Sequence, residues 1–503
     1  MLAPTQATPV DILLHTFSQA GVSNLFNFSR LHVVSPVESL PNELLSAIFT
    51  LATHDSHDIP HAVSFPIVLS HVCKHWRQVS FSTSSLWTAI LLTHPGKKSQ
   101  LSRAVDWLAR SRNRPLQIHL DFRDPSWNWD ETSHSFGWKN MENVMRLLLP
   151  HVTRWESLQL STDTWAPIFT FLWYSARVKS APLLRDIQLS RCNAFFATKG
   201  EIFSPAAMRE PIAWFTGGLA FTSLRRVSLA GVHVDWSNSG LTGLLDLELK
   251  YHAGDVAPTL HQFSKILAAC PDMERLSILG WGPQLDSESP SSRANIVKLQ
   301  QSIQLLHLKE FNFGFLDVDY AIDLLSLFRF PNLEYFSLED ISSLDPSRPQ
   351  DATPLLGYLI SINNSPCPLP SHSSTCCISQ CFPLSRIRSL ELHSLIASDS
   401  TIHRFLLQFR TLRFLSIINL DHRSLRNLSA ELFDNMTPLC PDLEGVTYKH
   451  LDVSLISELL ALWKLAGKRS PSRRISLDLR DADASPGDNQ ATALRLAGVH
   501  LLE

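Results

Sequence analysis

Ten times between Trp155 and Tyr448 the chain repeats one short pattern, with apolar residues at the first, fourth and sixth of six positions. The copies are WESLQL from Trp155, LRDIQL from Leu184, LRRVSL from Leu224, LLDLEL from Leu244 and MERLSI from Met273. LKEFNF from Leu308, LEYFSL from Leu333, IRSLEL from Ile387, LRFLSI from Leu412 and LEGVTY from Leu443 complete the series, which PLQIHL and RISLDL extend at its two ends. The alternation over the last three positions predicts a strand in each copy. Between copies run helical stretches such as LHQFSKILAAC, YAIDLLSLFRF and IHRFLLQFR, whose apolar residues lie three and four apart. A unit of one strand and one helix cannot bury its apolar side alone, so neighbouring units must stack.

The copies begin 20 to 54 residues apart, a spacing that resembles irregular leucine-rich repeats lengthened by loop insertions. A doubly wound α/β domain also alternates strand and helix, but its strands are covered on both faces and read as continuous apolar runs. Here the residue between the last two apolar positions is Gln159, Gln188, Ser228, Glu248, Ser277, Asn312, Ser337, Glu391, Ser416 and Thr447. One face of the sheet is therefore expected to be polar and open. The fold class expected is α/β, a short helical N-terminal module followed by an irregular solenoid with a curved parallel sheet.

At 503 residues the chain exceeds the usual size of one compact core, which fits such an array. Hydrophobic residues make up 44% and charged residues 18%, and the net charge is -3, so no basic excess draws the chain to nucleic acid or to an anionic membrane. The eight cysteines are scattered, which favours a reducing compartment, cytoplasmic or nuclear. No stretch approaches the roughly 20 apolar residues of a membrane span.

Ahead of the array, LPNELLSAIFTLA places Leu44, Ile48, Leu51 and Ala52 on one helical face with Leu45 and Phe49 beside it, after a proline suited to a first helical turn. PIVLSHVCKHWRQV is expected as a second helix, with Leu69, Val72, Cys73 and Trp76 on its apolar side. Such short helices are marginal in isolation, so both must pack on something further. LPNELLSAIF, then VCKHW, then SLW resembles an F-box, a docking module of about fifty residues. The whole chain is thus similar to F-box proteins of the fungal type with a C-terminal leucine-rich-repeat-like solenoid. The connection THDSHDIPHAVSF departs from the usual short loop. The expected division is 1–35 unassigned, 36–92 F-box, and 93–503 solenoid with a flexible insertion at 365–383.

The resemblance implies that Leu40, Pro41, Leu44, Leu45, Ile48, Phe49, Val72, Trp76, Leu86 and Trp87 include the surface that docks on a Skp-type adaptor, and through it on a cullin. It implies a substrate-receptor subunit of an SCF ubiquitin ligase whose solenoid binds a target protein, with no catalytic residue, metal or cofactor of its own. A repeat scaffold that assembles without target destruction is the alternative, separated by target ubiquitylation in cells. An enzyme with an unrecognised site is a further alternative, which turnover by the purified chain would reveal.

Cys73 and His75 would project about 200° apart on a helix, so they are not read as a nucleophile pair, and Cys73 is expected to be a small buried residue. Cys367, His372, Cys376, Cys377 and Cys381 lack the paired knuckles of a zinc site, and their Pro/Ser-rich context reads as a loop. Trp127, Trp129, Phe136 and Trp138 crowd one loop, where such rings plug gaps between units or anchor a partner. LSRAVDWLARS is expected as a helix packed through Leu101, Val105 and Leu108.

Overall fold

The structure is a computed structural model that describes residues 40–54, 58–94, 99–192, 200–285, 302–344, 350–364, 382–420, 422–432, 439–451, 453–469, 474–479 and 488–502. Three helices open it: α1 (Asn42–His54), α2 (Ile59–Val72) and α3 (Lys74–Ser82). A curved parallel sheet of 14 strands follows, its strands adjacent in the order in which they join it along the chain, while two short strands, Ile303–Gln304 and Phe328–Arg329, pair in a separate parallel sheet. Its first seven strands are β1 (Ala89–Thr93), β2 (Leu116–Phe122), β3 (Trp155–Thr162), β4 (Asp186–Arg191), β5 (Arg226–Ala230), β6 (Asp246–Lys250) and β7 (Arg275–Leu279). The remainder are β8 (Glu310–Phe315), β9 (Tyr335–Asp340), β10 (Ser389–His393), β11 (Phe414–Ile418), β12 (Gly445–Lys449), β13 (Arg474–Asp478) and β14 (Val499–Leu502). Purely sequential pairing lets every connection stay short-range, as stacking units require.

Each of the ten template copies supplies one strand, and all its apolar positions are buried to 4% exposure or less. Strand register carries the fourth position of each copy into one column, running Leu158, Ile187, Val227, Leu247, Leu276, Phe311 and onward to Val446. The polar fifth positions form a second column on the opposite face, from Gln159 through Glu248 and Glu391 to Thr447. A strict period of two separates these columns, since successive side chains alternate across a strand. Ser277 is the exception, buried in the polar column and accepting a hydrogen bond from Asn312 at 2.9 Å.

Two strands of this sheet, β1 and β14, escape the template reading, and β13 is two residues out of step with RISLDL, since Ile475 rather than Leu477 pairs with Val446. AILLT of β1 is preceded by Trp87, so that Trp87, Ile90 and Leu92 occupy the three template positions; all three are buried. The helix α4 (Ser99–Arg110) packs through Ala104, Trp107 and Leu108, whereas Leu101 and Val105, expected in the core, are 44% and 52% exposed. The tryptophan sets the helix's rotation. Trp107 meets Trp87 edge-on at 4.7 Å, and only residues within one turn of it on that side can follow it inward.

Two imidazoles sealed beside β5 and β6 give the fold a predictable acid response. His252 donates from Nε2 to the Val232 carbonyl at 2.7 Å and His233 from Nε2 to that of Arg209 at 2.9 Å. Burial pushes both pKa values down to about 4, against about 6.5 in the unfolded chain. The unfolded state therefore takes up protons first, and stability complete above pH 6.5 is lost as pH falls toward 4. Melting at pH 5.5 rather than pH 7 is expected to show roughly 1 kcal/mol of destabilisation for each imidazole. His252→Gln should flatten that dependence in parallel melts, and an unchanged slope would contradict the burial argument.

Candidate functional site

The second helix differs from its sequence reading. Cys73 adopts an extended conformation, φ -156° and ψ 172°, and separates α2 from α3. Its Sγ accepts from the Trp76 backbone N–H at 3.4 Å and so caps α3. Cys73 is only half-buried, because a capping side chain must sit at the helix end rather than under it. The stretch read as a long connection is mostly α2, which starts at Ile59 with Pro60 in its first turn, where a missing N–H is harmless.

These helices hold together through a small core and a polar seam. Leu45 and Phe49 of α1 are buried, and the Phe49 ring meets Trp76 at 4.8 Å. On the adjoining side Ser46 bonds Thr83 at 2.8 Å, Thr50 bonds Ser85 at 2.9 Å, and His54 donates to the Ser85 carbonyl at 2.9 Å. Arg77 of α3 donates from Nε to the Ser70 carbonyl of α2 at 2.8 Å. Leu86 and Trp87 are fully buried, with Trp87 donating from Nε1 to the Ser80 carbonyl at 3.0 Å. The Arg110 guanidinium lies over the Phe81 and Trp87 rings at 4.2 and 4.6 Å.

The ten residues singled out in the sequence thus fall into three groups. Leu45, Phe49, Leu86 and Trp87 form the internal core, and Leu40 and Trp76 are half-buried against it. Pro41, Leu44, Ile48 and Val72 reach the surface. Leu44, Ile48 and Leu51 are 52%, 49% and 69% exposed at i, i+4 and i+7, one apolar stripe along α1. Val68 and Val72 add a second stripe on α2, 53% and 57% exposed, and Phe81 is 41% exposed. Leu51 was visible in the helical period; Val68 and Phe81 carry no signal that separates them from core positions.

The tryptophan loop is divided in the same way. Phe136 is buried and stacks on Phe122 of β2 at 3.9 Å, filling a gap, whereas Trp129 and Trp138 are 70% and 52% exposed. His134 bonds the Asp163 carboxylate at 3.1 Å and anchors the loop to the following unit. The cysteine-rich stretch 365–381 lies outside the described residues. Among the described residues no group of three or more His, Cys, Asp or Glu side chains is arranged to hold a metal, and no helix is long and apolar enough to cross a membrane.

With this geometry in place, comparison with protein families is decisive for one segment: residues 37–93 match the F-box-like family. The chain carries an F-box-like domain there. No curated protein matches the chain.

Proposed function

We propose that this chain is the substrate-receptor subunit of an SCF-type ubiquitin ligase. The observation that carries the reading is the exposed apolar stripe of Leu44, Ile48 and Leu51 lying inside the F-box-like segment 37–93. Large apolar side chains lined up on a short surface helix are costly to leave in water and mark a partner surface. A Skp-type adaptor, and through it a cullin, is the partner that an F-box implies.

The fourteen-strand sheet, read as a leucine-rich-repeat solenoid, supplies the other half. Its polar face offers a long, shaped surface for a target protein, and transfer of ubiquitin then follows from proximity rather than from a catalytic group of this chain. Such a subunit works in the cytoplasm or nucleus. The non-degrading scaffold shares every one of these contacts and differs only in the fate of the target.

The direct test is capture of a purified Skp-type adaptor by the intact chain, compared with a variant carrying charges on the stripe. Point variants are needed because deletion of the F-box would also remove β1 and Trp87, uncovering Trp107 and the edge of β2. Wild-type chain that fails to capture the adaptor would overturn the reading.

A further inference from the structure

One rim of the sheet is built from a backbone row just ahead of the strands. The Lys309 N–H donates to Glu274 O at 2.9 Å, Glu334 to Lys309 O at 2.9 Å, Arg388 to Glu334 O at 2.8 Å and Arg413 to Arg388 O at 2.8 Å. Their side chains therefore leave the sheet side by side. In the middle of this rim, before β8, β9 and β10, lies an open groove of about 510 Å³. His307, Lys309, Arg386 and Arg388 line it against the single carboxylate of Glu334, in a chain whose net charge is -3.

The cations differ in how they are held. Lys309 gives its ammonium to Glu274 at 2.9 Å. Arg386 is fixed by Nη1, which donates to the Pro331 carbonyl at 2.8 Å and to Asn332 Oδ1 at 3.0 Å. Its Nε and Nη2 donors have no partner among the described residues. Arg388 faces Glu334 at 3.6 Å with both side chains more than half exposed, a pair weak enough to exchange for an incoming carboxylate. Guanidinium groups present planar, parallel donors that match a carboxylate in two-point contact. Beside them Leu306 is 46% exposed, an apolar foothold within the same groove.

We propose that this groove holds a short acidic segment of a protein partner, one or two carboxylates on Arg386 and Arg388 and an adjoining apolar side chain on Leu306. The inference rests on the reading of the sheet as the target-holding part and names the chemistry of that target. A nucleic-acid backbone fits less well. Followed along the rim, its phosphates would meet Glu156, Glu274, Glu334 and Glu444, each of which sits in the same row beside a cation.

The experiment is fluorescence anisotropy of the intact chain with a labelled peptide of glutamates flanking a leucine, beside the same peptide with glutamines. Tighter binding of the glutamate peptide that weakens with added salt is expected. Arg386→Glu with Arg388→Glu should lower its affinity at least about tenfold, and Arg388→Gln, a milder change, should lower it several-fold with an unaltered melting curve. Equal binding of the two peptides, undiminished binding by the folded variants, or tighter binding of a single-stranded oligonucleotide would each overturn the proposal. Adaptor capture is measured on the same wild-type sample. Its failure would remove the ligase reading while leaving the peptide result to stand as evidence about the groove.

Discussion

Leu44→Asp together with Ile48→Asp is expected to lower adaptor capture by two orders of magnitude or more while leaving the melting curve close to that of the wild type. Both side chains are about half exposed in the free chain, so the substitution itself disturbs little, and surface changes of this kind commonly shift stability by less than about 0.5 kcal/mol. On docking, the half of each side chain still exposed would be covered, and each leucine or isoleucine then contributes roughly 1 kcal/mol of further apolar burial. Carboxylates in their place lose that contribution and must also shed water without a counter-charge. Leu45→Asp is the necessary contrast. Leu45 is 1% exposed within the helical core beside Phe49, so its variant should lose capture by unfolding the domain, visible as a lost or lowered transition. Undiminished capture by the folded Leu44→Asp/Ile48→Asp variant would remove the stripe from the interface.

The second large effect is expected within the sheet. Val446→Asp should unfold or aggregate the chain, and Thr447→Asp, one residue along β12, should melt nearly as the wild type does. Val446 is fully buried in the inner column, where a carboxylate without a partner costs several kcal/mol, comparable to a large part of a domain's stability. Thr447 lies in the polar column between Ser416 and Ser476, with no carboxylate opposite it. Ser337 would be a poorer probe, because it pairs with Glu391 and an aspartate there would add repulsion to any effect of burial. Equal loss of stability in the two variants would mean that both faces of this strand are covered.

The parts of this architecture that were legible share one physical origin. A strand alternates its side chains with period two, and a repeated template fixes which face is buried, so Leu158, Phe311 and Leu415 could be placed in the core from sequence alone. Helix rotation is less constrained. Leu101 and Val105 fit an apolar period as well as Trp107 does, and only the tertiary contact of Trp107 with Trp87 decides between them. The break at Cys73 was hidden because nothing in VCKHW is a helix breaker; the thiol caps α3 instead of continuing α2. Within the F-box-like segment the pattern marked apolar residues but could not separate those that hold the helices together from those that face outward. Leu44 and Leu45 are adjacent leucines, and the difference between them is set by Phe49 and Trp76 packing on one side only.

Trp87 fills the first template position of β1, and β1 forms the last residues of the F-box-like segment 37–93, so that segment and the sheet share one strand. Among the described residues one buried core includes both, with members from Leu45 to Val499. Under the proposed function this makes the receptor a fixed bracket rather than a tether. A target seated on a given strand would stand at a set distance and bearing from the ligase, with each added strand advancing it by about 4.8 Å. The choice of which lysine receives ubiquitin would then be written in strand number, and inserting or deleting a whole unit between the F-box and the seat would redirect the modification without altering either binding surface.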